Sequence, residues 1–475
     1  MGRRHPRFLF DHVPFVPSDN SWSAENRDPC PDTVTPPAGT KSCVLQYWHP
    51  FFVEQYVKLV HALASHLAHA DYAQKLLGVR QNFDAVGTEG LVIPAPLRNT
   101  TLWHVPPGVV AAPPFSQGSS GSASGTALAY TSAVFDAHID AFVGGPVMLL
   151  ARNNLDQQIR ESTISKHGDL WKQGRVGFFH TSSEIEPRAF VSKGLSGDWP
   201  QYETFKAGCG STVCYAEPWA DAWGYHGKRD DRWCSPPQWI YWRLLSDLQM
   251  GVSNIALYGN DASVAADGTH MKEVVGARYQ QEFEAAFEFA ARYVGHWGDA
   301  STSPGAWVAF RESATVLGDY NNKTTDYEFH MSLLNTEEAT VGLDARTDGQ
   351  PVPVVPNRTR ANQSSIGPPD SRFGAWARRL KPGVAARLGL AEGAALRARG
   401  GAVTASVVYL DSNSGATLRL CGAGECSTAA VGDSGEWKVL RVPGLRLAAG
   451  GAQPQLSLTA MGGPVVVHMV ELALK

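Results

Sequence analysis

A chain of 475 residues with 43% hydrophobic and 18% charged residues is globular and longer than one hydrophobic core usually serves, so two domains are expected. Its formal net charge of −4 offers no basic stripe, which argues against nucleic acid as the main partner. No apolar run approaches the roughly 18 residues that a membrane helix needs, so no membrane partner is expected.

From the N-terminus, Arg7 to Val16 reads as a strand through Phe8, Leu9, Phe10 and Val13. Met1-Gly-Arg-Arg-His-Pro-Arg ahead of it is followed by no long apolar core, so no signal peptide is read there. A Pro- and Ser-rich loop ends at Tyr47-Trp48-His49-Pro50. From Phe52 to Ala68 the apolar positions Val53, Tyr56, Val57, Val60, Ala64 and Leu67 recur at helical spacing. His66 and His69 lie towards the other face of that helix and read as solvated side chains rather than metal ligands. A weakly patterned strand runs from near Leu77 to Glu89. The Pro-, Gly- and Ser-rich stretch from Pro94 to Leu128 leaves the same strand end, either as a roof over a cleft or as a flexible insertion.

Thr131 or Ser132 is expected to cap a helix reaching Val143, and Gly144-Gly145 to stop it before a buried strand from Pro146 to Ala151. A helical region near Arg160 to Trp171 leads to the strand Val176–His180 and a loop with Glu184 and Glu186. The next strand, Val213 to Pro218, carries Glu217 at its end. Ser235 caps a helix that opens on Pro236 and presents Trp239, Trp242, Leu245 and Leu248; Gly251 ends it, and Val252 to Tyr258 is a strand. A last amphipathic helix carries Tyr279, Phe283, Ala286, Phe287, Ala290 and Val294.

Strands alternating with amphipathic helices predict right-handed βαβ units and a parallel sheet, hence an α/β fold. No glycine-rich phosphate fingerprint is present, and no Cys-x-x-Cys or His-x-x-x-His pattern argues for zinc, so no metal or organic cofactor is expected. Polar groups at the C-terminal ends of several strands favour a (β/α)8 barrel. After about Ser303 the register changes to short strands: Ala402–Leu410, Ala416–Leu420, Trp437–Val442, Gln455–Thr459 and Val465–Leu472. Their turn signals read as a β-sandwich. The expected domains are therefore a catalytic 1–302 and a sandwich-like accessory 303–475.

Seven Cys cannot all pair within the chain. Cys30 with Cys43 and Cys421 with Cys426 flank short loops, while Cys209, Cys214 and Cys234 surround the Glu217 segment and leave one over. Four Asn-x-Ser/Thr sequons, at Asn99, Asn322, Asn357 and Asn362, lie in turn-rich surroundings and favour a glycosylated, secreted protein.

Two carboxylates, Glu89 and Glu217, each close a strand-like run. An ionised carboxylate at a buried strand end is rarely kept unless paired or used. A pair of them in one pocket is what glycoside hydrolysis requires. Fourteen Trp suit the same reading, since aromatic faces stack on sugar rings, although core packing is their commoner use.

The order of pieces over roughly residues 7–297 resembles the clan A (β/α)8 glycoside hydrolases that carry a C-terminal sandwich. The resemblance implies an acid/base Glu ending the fourth strand and a nucleophile Glu ending the seventh. Counting back from Val252–Tyr258 as the eighth strand puts Glu217 on the seventh and Glu89 on the fourth. The clan usually has Asn before the acid/base, where Thr88 stands here. Only one strand candidate precedes Tyr47, so the first strand–helix units are expected to be missing. The resulting expectation is a retaining glycosidase on a polysaccharide or oligosaccharide, with Glu217 as nucleophile and Glu89 as general acid/base. Arg152, His180, Trp219 and Trp223 sit at or past strand ends as sugar-binding residues, and Glu184 and Glu186 are the rival acids. The alternative is a non-catalytic carbohydrate-binding or adhesion protein built on an incomplete barrel.

Overall fold

The computed structural model describes residues 6–18, 30–31, 42–81, 103–113, 126–152, 166–171, 173–183, 208–218, 221–223, 235–311, 326–344, 372–374, 376–398, 402–447 and 454–474. The chain divides into two compact units, Met1–Phe179 and His180–Lys475.

In the first unit, Pro50–His69 forms the helix its periodicity predicts, with Pro at its start and the His49 ring accepting a hydrogen bond from the Phe51 amide at 3.3 Å. Phe52, Tyr56, Val60 and Leu67 make its buried stripe, while His66 and His69 are exposed and bond to Tyr72 and to the Ser65 carbonyl. This helix packs on Thr126–Phe142. That second helix begins before the expected cap at Thr131, because Thr131 is itself buried and 126–130 already favour helix.

The expected strand Arg7–Val16 is corrected. Leu9–His12 is a single helical turn whose buried Leu9, Phe10 and Val13 follow helical, not alternating, spacing. The strand itself, β1 (Phe15–Ser18), starts only past this turn and pairs antiparallel with β2 (Ser42–Leu45). The Cys30–Cys43 disulfide forms as the short loop suggests. Beyond these, β3 (Val79–Arg80), β4 (Leu149–Arg152) and β5 (Val176–Ser183) run parallel, with Val79 beside Leu149 and Leu149 beside Val176.

In the second unit, β6 (Cys214–Pro218) and β7 (Asn254–Ile255) are parallel neighbours joined through the helix Pro236–Gln249. Ser235 caps that helix by accepting from the Gln238 amide at 3.3 Å, as its sequence predicts. Every residue of the helix is buried. Ala277–Tyr293 packs against it, and Trp242 meets the rings of Trp376 and His468 at 5.0 and 5.1 Å. Between β7 and Ala277 lie a helix, Gly259–Asp267, and a hairpin of β8 (Thr269–His270) and β9 (Glu273–Val274) that the apolar pattern does not reveal. Parallel ladders are thus described for β3–β4–β5 and for β6–β7; a closed eight-strand barrel is not.

Two antiparallel sheets follow. One contains β10 (Gly305–Ala309), β11 (Tyr327–Phe329), β13 (Thr340–Asp344), β14 (Trp376–Leu380), β16 (Ala402–Ser412), β19 (Asp433–Arg446) and β21 (Val465–Ala473). The other contains β12 (Met331–Leu333), β15 (Ala385–Leu390), β17 (Thr417–Gly422), β18 (Glu425–Ala430) and β20 (Leu456–Met461). Val308, Val407 and Val467 of the first share a core with Leu388, Leu418 and Leu458 of the second. Cys421–Cys426 closes the turn between β17 and β18.

Gly251 shows how tightly the β6–β7 region is built. Its φ is +82°, and an added Cβ would sit 2.4 Å from Trp297 Cδ1 and 2.9 Å from Cys209 Cβ. Gly251→Ala is therefore expected to cost about 1–3 kcal/mol, read as a lowered urea midpoint with unchanged slope. A wild-type midpoint would show that the ring and the loop yield freely.

Candidate functional site

The alternation along β6 places its side chains. Cys214, Ala216 and Pro218 are buried, whereas Tyr215 and Glu217 face the other side and are half-buried. The ladder to β7 continues past its formal end, since the Ala256 amide donates to the Ala216 carbonyl at 2.8 Å. Glu217 therefore stands at the C-terminal end of a parallel pair, where α/β folds gather their chemistry. The start of β6 is fixed by the Cys209–Cys214 disulfide, which settles which pair of the three nearby cysteines bonds.

Four residues beyond Glu217 the chain enters a buried polar cluster. Asp221 Oδ2 accepts from Asn260 Nδ2 at 2.8 Å and lies 3.0 Å from His270 Nε2. An ionised carboxylate can only accept, so the Nε2–H tautomer of His270 fits this contact. Asp221 Oδ1 accepts from the Trp223 amide at 3.1 Å, and Asp261 Oδ1 accepts from the Ala222 amide at 3.0 Å. Three consecutive residues, 221–223, are thus held by the helix and hairpin that follow β7. Trp223 is 8% exposed and stacks on His270 at 4.1 Å and Phe283 at 5.4 Å, so protein rings engage the indole.

Beneath this lies Arg243, fully buried, donating through Nη2 to the Ala256 carbonyl at 3.0 Å and lying 3.2 Å from Asp247 Oδ2. Burial pulls its pKa down, against the opposing charges of Asp247, Asp261 and Tyr258. Burial raises the Asp261 carboxyl to about 7, helped by the Asp221 charge and opposed by the Ala222 amide and Arg243. Asp261 thus binds its proton more tightly folded than unfolded. Its contribution to stability is full below the ordinary value of 3.8 and is lost as pH rises through about 7. Asp261→Asn keeps the acceptor for Ala222 and is expected to remove that loss, flattening stability between these pH values by a few kcal/mol. Parallel wild-type and variant curves from pH 4 to 8 would show that Asp261 titrates normally.

The other residues singled out from the sequence are placed less fully. Arg152 ends β4 and His180 lies within β5, while Glu89, Glu184, Glu186 and Trp219 lie outside the described residues, as do the four sequons. A groove of about 260 Å³ between the helices Pro50–His69 and Thr126–Phe142 is lined by His61, Asp140 and Phe142 and contains none of the candidate acids. Among the described residues no group of three His, Cys, Asp or Glu side chains is placed to hold a metal, and no helix is long and apolar enough to cross a membrane. The cluster residues Asp221, Asn260, Asp261 and His270 escaped the sequence reading. Their signal was the polar Gly259-Asn260-Asp261 run directly after an apolar strand.

No protein-family model matches this chain, and no curated protein matches it. Among solved structures, the chain is similar to the carbohydrate-binding module CBM6cm-2 of Cellvibrio mixtus lichenase 5A in complex with cellotriose, at 15% identity. That match covers 22% of this chain and 79% of the module, with a TM-score of 0.15. A second is the cycloalternan-forming enzyme of Listeria monocytogenes in complex with a pentasaccharide substrate, at 9% identity, covering 76% of this chain and 49% of the enzyme, with a TM-score of 0.18. A third is CapF with an inhibitor, at 9% identity, covering 72% of this chain and 86% of CapF, with a TM-score of 0.14. Scores this low carry no argument about the fold of the chain.

Proposed function

We propose that this chain is a retaining glycoside hydrolase acting on a polysaccharide or oligosaccharide. The observation that carries the reading is the half-buried Glu217 at the C-terminal end of β6, a position where a carboxylate is kept for use. In the proposed reaction a Glu217 carboxylate oxygen attacks the anomeric carbon as the glycosidic C–O bond breaks, and Glu89 protonates the departing oxygen. Glu89 then takes a proton from water, which attacks the same carbon and frees Glu217. The carboxyl groups are expected about 5–5.5 Å apart; a measured separation beyond about 12 Å excludes the pairing. Arg152, His180 and Trp219 are proposed sugar contacts, the parallel strands part of a clan A barrel, and the two C-terminal sheets an accessory β-sandwich. The three disulfides fit the proposed extracellular setting.

The test is release of reducing sugar from soluble β-1,3- and β-1,4-glucan, xylan and galactan, with binding to the same polymers followed by affinity electrophoresis. Turnover that Glu217→Gln removes, with binding retained, supports the reading. Binding without turnover at any pH makes the chain a carbohydrate-binding protein, and neither result with any glycan ends both readings.

A further inference from the structure

The stretch 221–223, past Glu217 in the chain, is held from outside β6. Its anchors come from one neighbouring stretch, Asn260 and Asp261 in the first turn of Gly259–Asp267 and His270 in β8. Asp221 is the hub, because its two carboxylate oxygens take the Trp223 amide on one side and the Asn260 and His270 donors on the other. Asp221, Asp261 and His270 are each at most 6% exposed, so these bonds are made where water competes little. An unpaired acceptor or donor there would be costly, which makes the 221–223 backbone a fixed geometry rather than one of several. The turn Met271-Lys272, with both φ values positive at 50° and 71°, joins β8 to β9 and pairs His270 with Glu273.

We infer that Asp221, acting with Asn260 and His270, is a positioning residue that sets the chain leaving β6 and so aligns Glu217 with a bound glycan. This rests on the glycosidase reading above. The titratable groups facing the hub include His270 and Asp261 from the elements after β7, with Arg243 from the buried helix facing Asp261. Asn260 and His270 are partners of Asp221 that substitution can address one at a time. Asn at 221 keeps the acceptor for Trp223 yet turns an amide N–H₂ towards two donors. Gln at 270 keeps a side-chain N–H, whereas Leu keeps bulk alone.

The experiment compares wild type with Asp221→Asn, Asp221→Ala, His270→Gln and His270→Leu, each checked for a cooperative thermal transition. Hydrogen exchange is followed at the Ala222 and Trp223 amides, and kcat and KM are measured on whichever of the four polysaccharides wild type cleaves fastest. Asp221→Ala and His270→Leu are expected to speed exchange at Trp223 at least tenfold. They should lower kcat at least tenfold with KM within about threefold, and His270→Gln should recover most of kcat. Should Asp221→Ala fail to fold, Asp221→Asn and the His270 pair carry the same comparison. Faster exchange with unchanged kcat, or unchanged exchange, overturns the positioning role while the glycosidase reading stands. Absence of turnover by wild type on all four polymers overturns that reading, and the positioning role with it.

Discussion

Arg243→Met is expected to destabilise the second unit by about 3–5 kcal/mol, because it strands a buried carboxylate. Arg243 and Asp247 are both fully buried and sit one turn apart on Pro236–Gln249, a helix with no exposed residue. Removing the guanidinium leaves Asp247 without its countercharge and the Ala256 carbonyl without its 3.0 Å donor at the end of β7. The double change Arg243→Met with Asp247→Leu should recover much of that loss, since buried ion pairs are often replaceable by apolar residues of similar volume. Urea unfolding of the two single variants and the double closes the cycle. A double variant less stable than Arg243→Met would show that the pair is not the coupled unit.

Glu217→Gln is expected to lower glycan hydrolysis by at least about 10⁴-fold, roughly 5 kcal/mol of barrier at 1.36 kcal/mol per factor of ten. The amide keeps the shape and the half-buried position of the side chain but cannot form the glycosyl ester. Affinity for the uncleaved polymer should change by no more than a few-fold, because the loss is confined to the transition state. Under the same mechanism Glu89→Ala should spare substrates with good leaving groups and respond to added azide, and the wild-type rate should be bell-shaped in pH. If Glu217→Gln leaves the rate untouched, the nucleophile lies elsewhere and Glu184 and Glu186 are next to be substituted.

Much of the local structure was written in short-range signals. Pro50 and Ser235-Pro236 start helices that hold whatever packs on them, since a cap and a fixed φ act within one turn. The strand that ends on Glu217 was legible from its apolar run, and Cys30–Cys43 and Cys421–Cys426 from the short loops they close. Tertiary contacts decided the rest. Leu9, Phe10 and Val13 are equally apolar as strand or helix, and their helical turn was chosen by where the core lay. Cys214 had two partners within reach along the sequence, and the tight approach of Cys209 to Gly251 accompanies the pair that forms. The buried cluster is the extreme case. Asp221 meets Asn260 and His270 from 39 and 49 positions away, so no window along the chain contains the interaction. Sequence fixes which side chains can donate, accept or ionise; only folding brings an amide and an imidazole within 3.0 Å of the Asp221 carboxylate, where burial of Asp221 and His270 leaves water little room to compete.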